Sequence, residues 1–232
     1  AGAGQYLRAR LIRKHYTLYM CTILSVALAC LVYIGALRLG QLFFHISSGH
    51  EAGYICAMLF IIPGFPFITS GIDLAKLDMR SGLERLAYAV LIIVNATLTA
   101  WVMSSIMGLH PADFPELSIP PAIHLLLRLA ASFVGVFGFS IMFNSPVRMA
   151  ASAAVIGAIA NTLRLELVDF ADFPAAVAAF VGALTAGLLA SALMKRLGYP
   201  RISVTVPSIV IMVPGLYLYR AVYNIGEMSL TL

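Results

Sequence analysis

The sequence predicts an all-α fold, a polytopic transmembrane helical bundle of about seven spans. Three observations predict it: long unbroken apolar runs, basic residues gathered at the ends of those runs, and a Pro-Gly break that occurs twice in matched surroundings. Hydrophobic residues make up 61% of the 232-residue chain and charged residues 11%, with a mean hydropathy of +0.96. Those values exclude an ordinary soluble domain. A transmembrane β-barrel would show short alternating strands, whereas the apolar runs here are continuous. The net charge of +5 sits at helix ends, which is a topology signal and argues against nucleic acid as a partner.

A spanning helix needs about 20 apolar residues. Seven segments qualify: 16–39, 53–75, 83–109, 121–143, 147–163, 172–194 and 203–225. Arg8, Arg10, Arg13 and Lys14 precede the first; the Ala1–Gly4 start is set aside as an edge of the chain. Lys76, Arg80 and Arg85 lie between the second and third, and Asp78 and Glu84 share that charged loop. The segment 110–120 carries Asp113 and Glu116 but no Lys or Arg. Arg148 opens the fifth span, and Lys195, Arg196 and Arg201 lie between the sixth and seventh. Placing these basic groups inside leaves only Arg38 and Arg164 in outer loops, so the positive-inside rule predicts a cytoplasmic N-terminus and an outer C-terminus. In the sixth span Gly182, Ala186 and Ala190 repeat every four positions, as do Ala179, Ala183, Gly187 and Ser191, a pattern that brings helix backbones close. Cys21, Cys30 and Cys56 lie in apolar runs without metal-ligand spacing and read as packed thiols.

The two breaks read Ile61-Ile62-Pro63-Gly64-Phe65-Pro66-Phe67 and Met212-Val213-Pro214-Gly215-Leu216-Tyr217-Leu218, offset by 151 residues. Asp73 follows the first proline by ten residues and Asn224 follows the second by ten. Proline removes a backbone donor and clashes with the preceding turn, so each span is predicted to restart as a half-helix. By the topology count the second span runs inward and the seventh outward. The chain therefore divides into a first half, 1–115, and a second half, 116–232, inverted relative to each other. Repeat logic also predicts one helix beyond residue 232 and about two before the first span, hence a parent of about ten spans.

The candidate site collects around the breaks. Pro63, Gly64, Pro214 and Gly215 start half-helices whose free N–H groups attract anions. Arg220, six residues after Pro214, is the candidate ligand for a substrate carboxylate, because its planar fork binds that group bidentately; the alternative is an ion pair such as Arg220–Asp73. Asp73 reads either as a coupling-proton site or as a helix-end charge pairing Lys76. Thr69, Tyr219 and Asn224 add hydrogen-bonding groups beside the breaks. Arg128, with His124 one turn earlier, reads as an intramembrane charge or as a snorkelling side chain. Ser70, Asn95, Asn144 and Asn161 can hydrogen-bond across helices. No phosphate loop, nucleophile elbow, metal cluster or triad appears, so neither enzyme activity nor a cofactor is expected.

The stretch Ile62-Pro63-Gly64-Phe65-Pro66 through Gly71-Ile72-Asp73-Leu74, then Asp78-Met79-Arg80-Ser81-Gly82-Leu83-Glu84-Arg85, resembles the Pro-Gly segment of the threonine/serine exporter family. Val206-Pro207-Ser208 through Val213-Pro214-Gly215-Leu216-Tyr217-Leu218-Tyr219-Arg220 resembles the closing motif of that family's second half, and Phe143-Asn144-Ser145-Pro146-Val147-Arg148 fits its helix-four to helix-five turn. The resemblance implies an exporter of two homologous halves in the bacterial inner membrane, moving threonine, serine or a related carboxylate such as succinate, with proton coupling. The family's cytosolic N-terminal region has no counterpart in this sequence. The expected partners are the small carboxylate or amino-acid substrate, protons and membrane lipid. A homo-oligomer, or helices supplied by another segment, would complete the bundle. A passive carboxylate channel and a non-transporting membrane scaffold are the competing readings.

Overall fold

The structure, a computed structural model, describes residues 1–44, 53–108, 119–213 and 215–231. Among these residues the chain is helical and holds no strand. In chain order the helices are α1 (Gly2–Arg13), α2 (Leu18–Phe44), α3 (Gly53–Met58), α4 (Gly64–Ala75), α5 (Met79–Met107), α6 (Pro121–Met142), α7 (Val147–Asp169), α8 (Ala175–Leu197), α9 (Arg201–Ile209) and α10 (Gly215–Thr231). Five of them, α2 and α5 to α8, are long and apolar enough to cross a membrane, and counting the interrupted pairs α3–α4 and α9–α10 as one span each gives seven. The apolar surface is turned largely outward: only 17% of the most apolar stretch of α6 is buried within the protein. That is the pattern of helices whose neighbours include lipid. Asp113 and Glu116 lie outside the described residues.

Local chemistry starts and stops these helices. Pro120, Pro146 and Pro200 each precede a helix with φ between −54° and −58° and extended ψ, where a missing N–H leaves no bond unmade. Asp78 caps α5 by accepting from the Ser81 amide at 3.3 Å. Asn144 takes a left-handed φ of 59° in the tight turn between α6 and α7, a conformation its short polar side chain tolerates.

Two compact units emerge, Ala1–Glu116 with Pro214–Leu232, and Leu117–Val213. In the first, α1 packs on α2, α4 folds back on α5, and α10 packs against α5. Its core gathers Val26, Cys30, Tyr54, Ile55, Met58, Ile61, Ala96, Ala100, Tyr219 and Tyr223. The start of the chain belongs to this packing, contrary to its being set aside. Gly4 is buried, and a Cβ there would fall 2.6 Å from the Ser25 carbonyl and 2.8 Å from the Phe60 ring. In the second unit α7 is the centre, flanked by α6, α8 and α9. Its small residues make that position workable. A Cβ on Gly157 would lie 2.7 Å from Val136 and 2.8 Å from the Ser208 carbonyl, so the three helices meet at contact distance only because no side chain stands there. Of the two stripes on α8, the one through Gly182, Ala186 and Ala190 is buried, while Ala179, Ala183, Gly187 and Ser191 are half-buried.

α7 is longer than the predicted 147–163 segment, ending at Asp169. Its last turns carry Arg164, Glu166 and Asp169, which hydropathy reads as loop. The helix continues because Arg128 of α6 holds both acids: Nη1 donates to Glu166 at 2.8 Å and Nη2 to Asp169. Arg128 is only 13% exposed, so it is a paired interhelical charge and not a snorkelling one. One turn deeper Asn161 donates to Ser132 at 2.9 Å. Ser70 likewise reaches across, donating to the Gly82 carbonyl at 2.8 Å, whereas Asn95 bonds its own helix at Leu91. Cys21 and Cys30 are buried thiols as expected, but Cys56 sits on an exposed face of α3.

Candidate functional site

The first break is built in steps. After α3 the chain tightens into a 3-10 turn, Leu59–Ile61, and then Ile62 swings out to φ −63°, ψ 122°. Pro63 follows at φ −80°, ψ 63°, and α4 starts at Gly64, bent 56° from the helix before it. The Ile62 amide donates to Leu59 at 3.2 Å, Gly64 donates to Ile62 at 2.8 Å, and Phe67 donates to Pro63 at 3.0 Å. Pro66 falls in the first turn of α4, where its lack of a donor leaves nothing unsatisfied.

The second break repeats this geometry. α9 ends at Ile209, a 3-10 turn covers Val210–Met212, Val213 swings out to φ −60°, ψ 131°, and α10 starts at Gly215. The Val213 amide donates to Val210 at 3.3 Å. Helix end, 3-10 turn, extended residue and helix restart recur at the 151-residue offset of the prolines. Similar local chemistry thus gives a similar backbone up to the extended residue. Pro214 itself lies outside the described residues.

Within the first unit the glycine that opens α10 meets the turn before the first break. A Cβ on Gly215 would lie 2.6 Å from Ile62 and 3.1 Å from Leu59, so the start of α10 rests on the turn that opens the first break. Four residues on, Tyr219 is fully buried, and its hydroxyl lies 2.6 Å from that of Tyr54 on α3. The two rings meet edge to face at a centroid distance of 6.0 Å. Arg220 is half-buried and Asn224 is exposed on α10.

Asp73 and Thr69 belong to a second feature, the α4–α5 hairpin. Arg85 Nη1 donates to Asp73 at 2.7 Å, so the ion partner of Asp73 is Arg85 of the next helix; Lys76 instead caps α4 through its backbone. Beside this pair runs an open groove of about 450 Å³, lined by Phe65, Pro66, Thr69, Glu84, Arg85 and Tyr88. It leads from the break to the charged end of the hairpin. The Thr69 hydroxyl donates back to Phe65 and Pro66 at 3.0 and 3.2 Å, so toward the groove it offers an acceptor. Arg85 and Glu84 place opposite charges side by side there, and Glu84 is only loosely held by exposed Arg80 at 3.1 Å.

Of the sequence-predicted residues, Gly215 rests on the turn Leu59–Ile62 just before Pro63 and Gly64, Tyr219 on Tyr54, and Thr69 and Asp73 line or flank the groove, while Arg220 and Asn224 lie farther along α10. Tyr54 and Tyr88 were not legible, because no spacing rule links a residue nine before one break to one five after the other, or a groove wall on α5 to α4. Among the described residues there is no group of His, Cys, Asp and Glu suited to a metal.

No curated protein and no solved structure matches the chain. Two family models do. ThrE, a threonine/serine exporter model, matches residues 1–107, and ThrE_2, described as Threonine/Serine exporter, ThrE, matches residues 128–232. Between them the models span both breaks, the α4–α5 hairpin and the polar seam of α6 and α7: the chain belongs to the threonine/serine exporter family.

Proposed function

We propose that this chain carries out secondary export of small hydroxy amino acids, threonine and serine, or of related carboxylates, by alternating access and at the expense of a proton gradient. The observation that carries the reading is the repeated break, one backbone course recurring 151 residues apart with the second glycine seated on the first turn. Paired discontinuous helices place half-helix N-termini where an anionic substrate group can be held in place of water. On this reading Pro63, Gly64, Pro214 and Gly215 shape the site, Arg220 takes the carboxylate, and Tyr219 and Asn224 belong to its walls. The two halves are inverted, and the protein sits in a bacterial inner membrane with the N-terminus inside.

The α4–α5 groove supports an amino acid over a dicarboxylate. With the basic turn Lys76–Arg85 in the cytoplasm, the groove opens on the side from which an exporter loads. Arg85 complements a carboxylate, Glu84 an ammonium, and the Thr69 oxygen a hydroxyl donor. A second carboxylate would meet Glu84 and Asp73. Reconstituted into liposomes with an imposed proton gradient, the protein is expected to drive labelled threonine and serine outward at least tenfold faster than succinate. Equal, gradient-independent leak of all three would support a passive channel, and no flux above protein-free liposomes would support a scaffold.

A further inference from the structure

The second unit carries a polar seam that the proposed substrate site does not use. At the end of α7, Glu166 and Asp169 both accept from Arg128 of α6, Glu166 at 2.8 Å. One turn along α6, Ser132 accepts from Asn161 at 2.9 Å, and Asn161 accepts from Arg164 at 3.2 Å. Ser132 and Asn161 are buried and Arg128 nearly so. Well-packed apolar residues would hold α6 to α7 at least as well, so charges at this depth point to a use beyond packing. The seam reaches the second break. A Cβ on Gly182 of α8 would lie 3.2 Å from Cβ of Arg164 and 3.3 Å from Sδ of Met212, which ends the turn before that break. A Cβ on Gly135 of α6 would lie 3.8 Å from Ile211 of the same turn. A shift of α7 against α6 at Arg128 is therefore passed to the turn through direct packing. At its other end the seam opens by degrees, with Asp169 45% exposed and Glu166 26% exposed. On the topology proposed above, that end faces outside, the side from which protons enter.

We infer that Glu166 is the proton-binding group of coupled export, with Asp169 at its entrance and Arg128 as the cation it gives up when protonated. The inference rests on the proton-driven exporter reading. The step forms one O–H bond on Glu166 and breaks only a hydrogen bond. A neutral carboxyl gives up its charge-assisted bond to Nη1, while Asp169 keeps Nη2, so Arg128 stays charged and paired. α6 and α7 thereby lose one tie near the break, and the same proton leaves to the cytoplasm when access reverses. Glu166 is chosen over Asp169 because it lies deeper and nearer the seam. Among the described residues the other titratable groups at this end are His124 and Arg128 on α6, Arg164 and Asp169 on α7, and Asp172 just beyond it. α8 and α9, also packed on α7, carry none here.

Glu166→Gln keeps the shape of the side chain and an acceptor for Arg128 but takes no proton. In proteoliposomes, threonine export is measured with and without a proton gradient, acid on the outer face, while a trapped pH dye reports proton entry. The gradient should speed wild-type export about fivefold and Glu166→Gln export hardly at all, with threonine-linked proton entry lost in the variant. A structural defect would instead scale both rates together. A second measurement uses the wild-type protein alone. A hydrophobic carbodiimide adds to a protonated carboxyl, so peptide mass mapping should find Glu166 labelled, faster in acid than in alkali. A wild-type gradient response in Glu166→Gln overturns the assignment. So does a Glu166 that stays unlabelled at every pH, or label on Asp169 in its place. If Glu166→Gln moves no threonine in either condition, the labelling decides. If wild-type export itself ignores the gradient, it is the proton-driven reading that falls.

Discussion

A few single side chains carry the polar interactions between the helices of this apolar protein. Arg128 is shared by Glu166 and Asp169 while itself only 13% exposed. Removing it leaves two carboxylates at a helix end facing each other without a cation. Arg128→Ala should lower stability by about 2 kcal/mol, discounted from a fully buried pair because Asp169 is half in solvent. Thermal unfolding in detergent checks this, and Arg128→Lys should recover only part of the loss, because a point charge cannot serve both acids as a fork does. Asp73 presents a similar case with a different consequence. Its bond to Arg85 at 2.7 Å holds the guanidinium at the groove wall. Asp73→Asn should raise the half-saturation constant for threonine by roughly fivefold while sparing folding, since Ser70 still ties α4 to Gly82 at 2.8 Å. An unchanged constant would detach the groove from transport.

Elements show most plainly what the sequence could tell. The seven apolar segments were legible because length and hydropathy are what a bilayer selects for, and both Pro-Gly breaks interrupt their spans where proline chemistry requires. The ends were less legible. α7 runs six residues past its apolar segment because its charges are neutralised by Arg128, a fact invisible to a hydropathy window. Ala1–Gly4 was set aside as an edge, yet Gly4 is what lets α1 approach α2. At the site, the breaks and Tyr219 could be read from motif and proximity. Tyr54 and the groove charges could not, because they are assembled by packing between separate elements. The close approach of α6, α7 and α9 at Gly157 gives a test at this scale. Gly157→Val places methyl groups where 2.7 Å separates a bare Cβ from Val136, and should cost about 3 kcal/mol or prevent folding of the second unit. Gly187→Ala, with nothing within 4 Å, should be neutral in the same unfolding assay.

For the whole molecule, family membership and the repeated break converge on transport. On the proposed exporter reading, two halves that each carry a broken helix would give a carrier two near-equivalent arrangements, which is what alternating access needs. A carrier differs from a channel in that its substrate must travel with the conformational change, so substrate on the far side accelerates exchange. Proteoliposomes loaded with unlabelled threonine and challenged with labelled threonine outside measure this directly. The account predicts transient accumulation of label several-fold above liposomes without internal threonine, abolished by Arg220→Ala at normal expression and folding. Label entry that is indifferent to internal threonine, or that persists unchanged in Arg220→Ala, would contradict it.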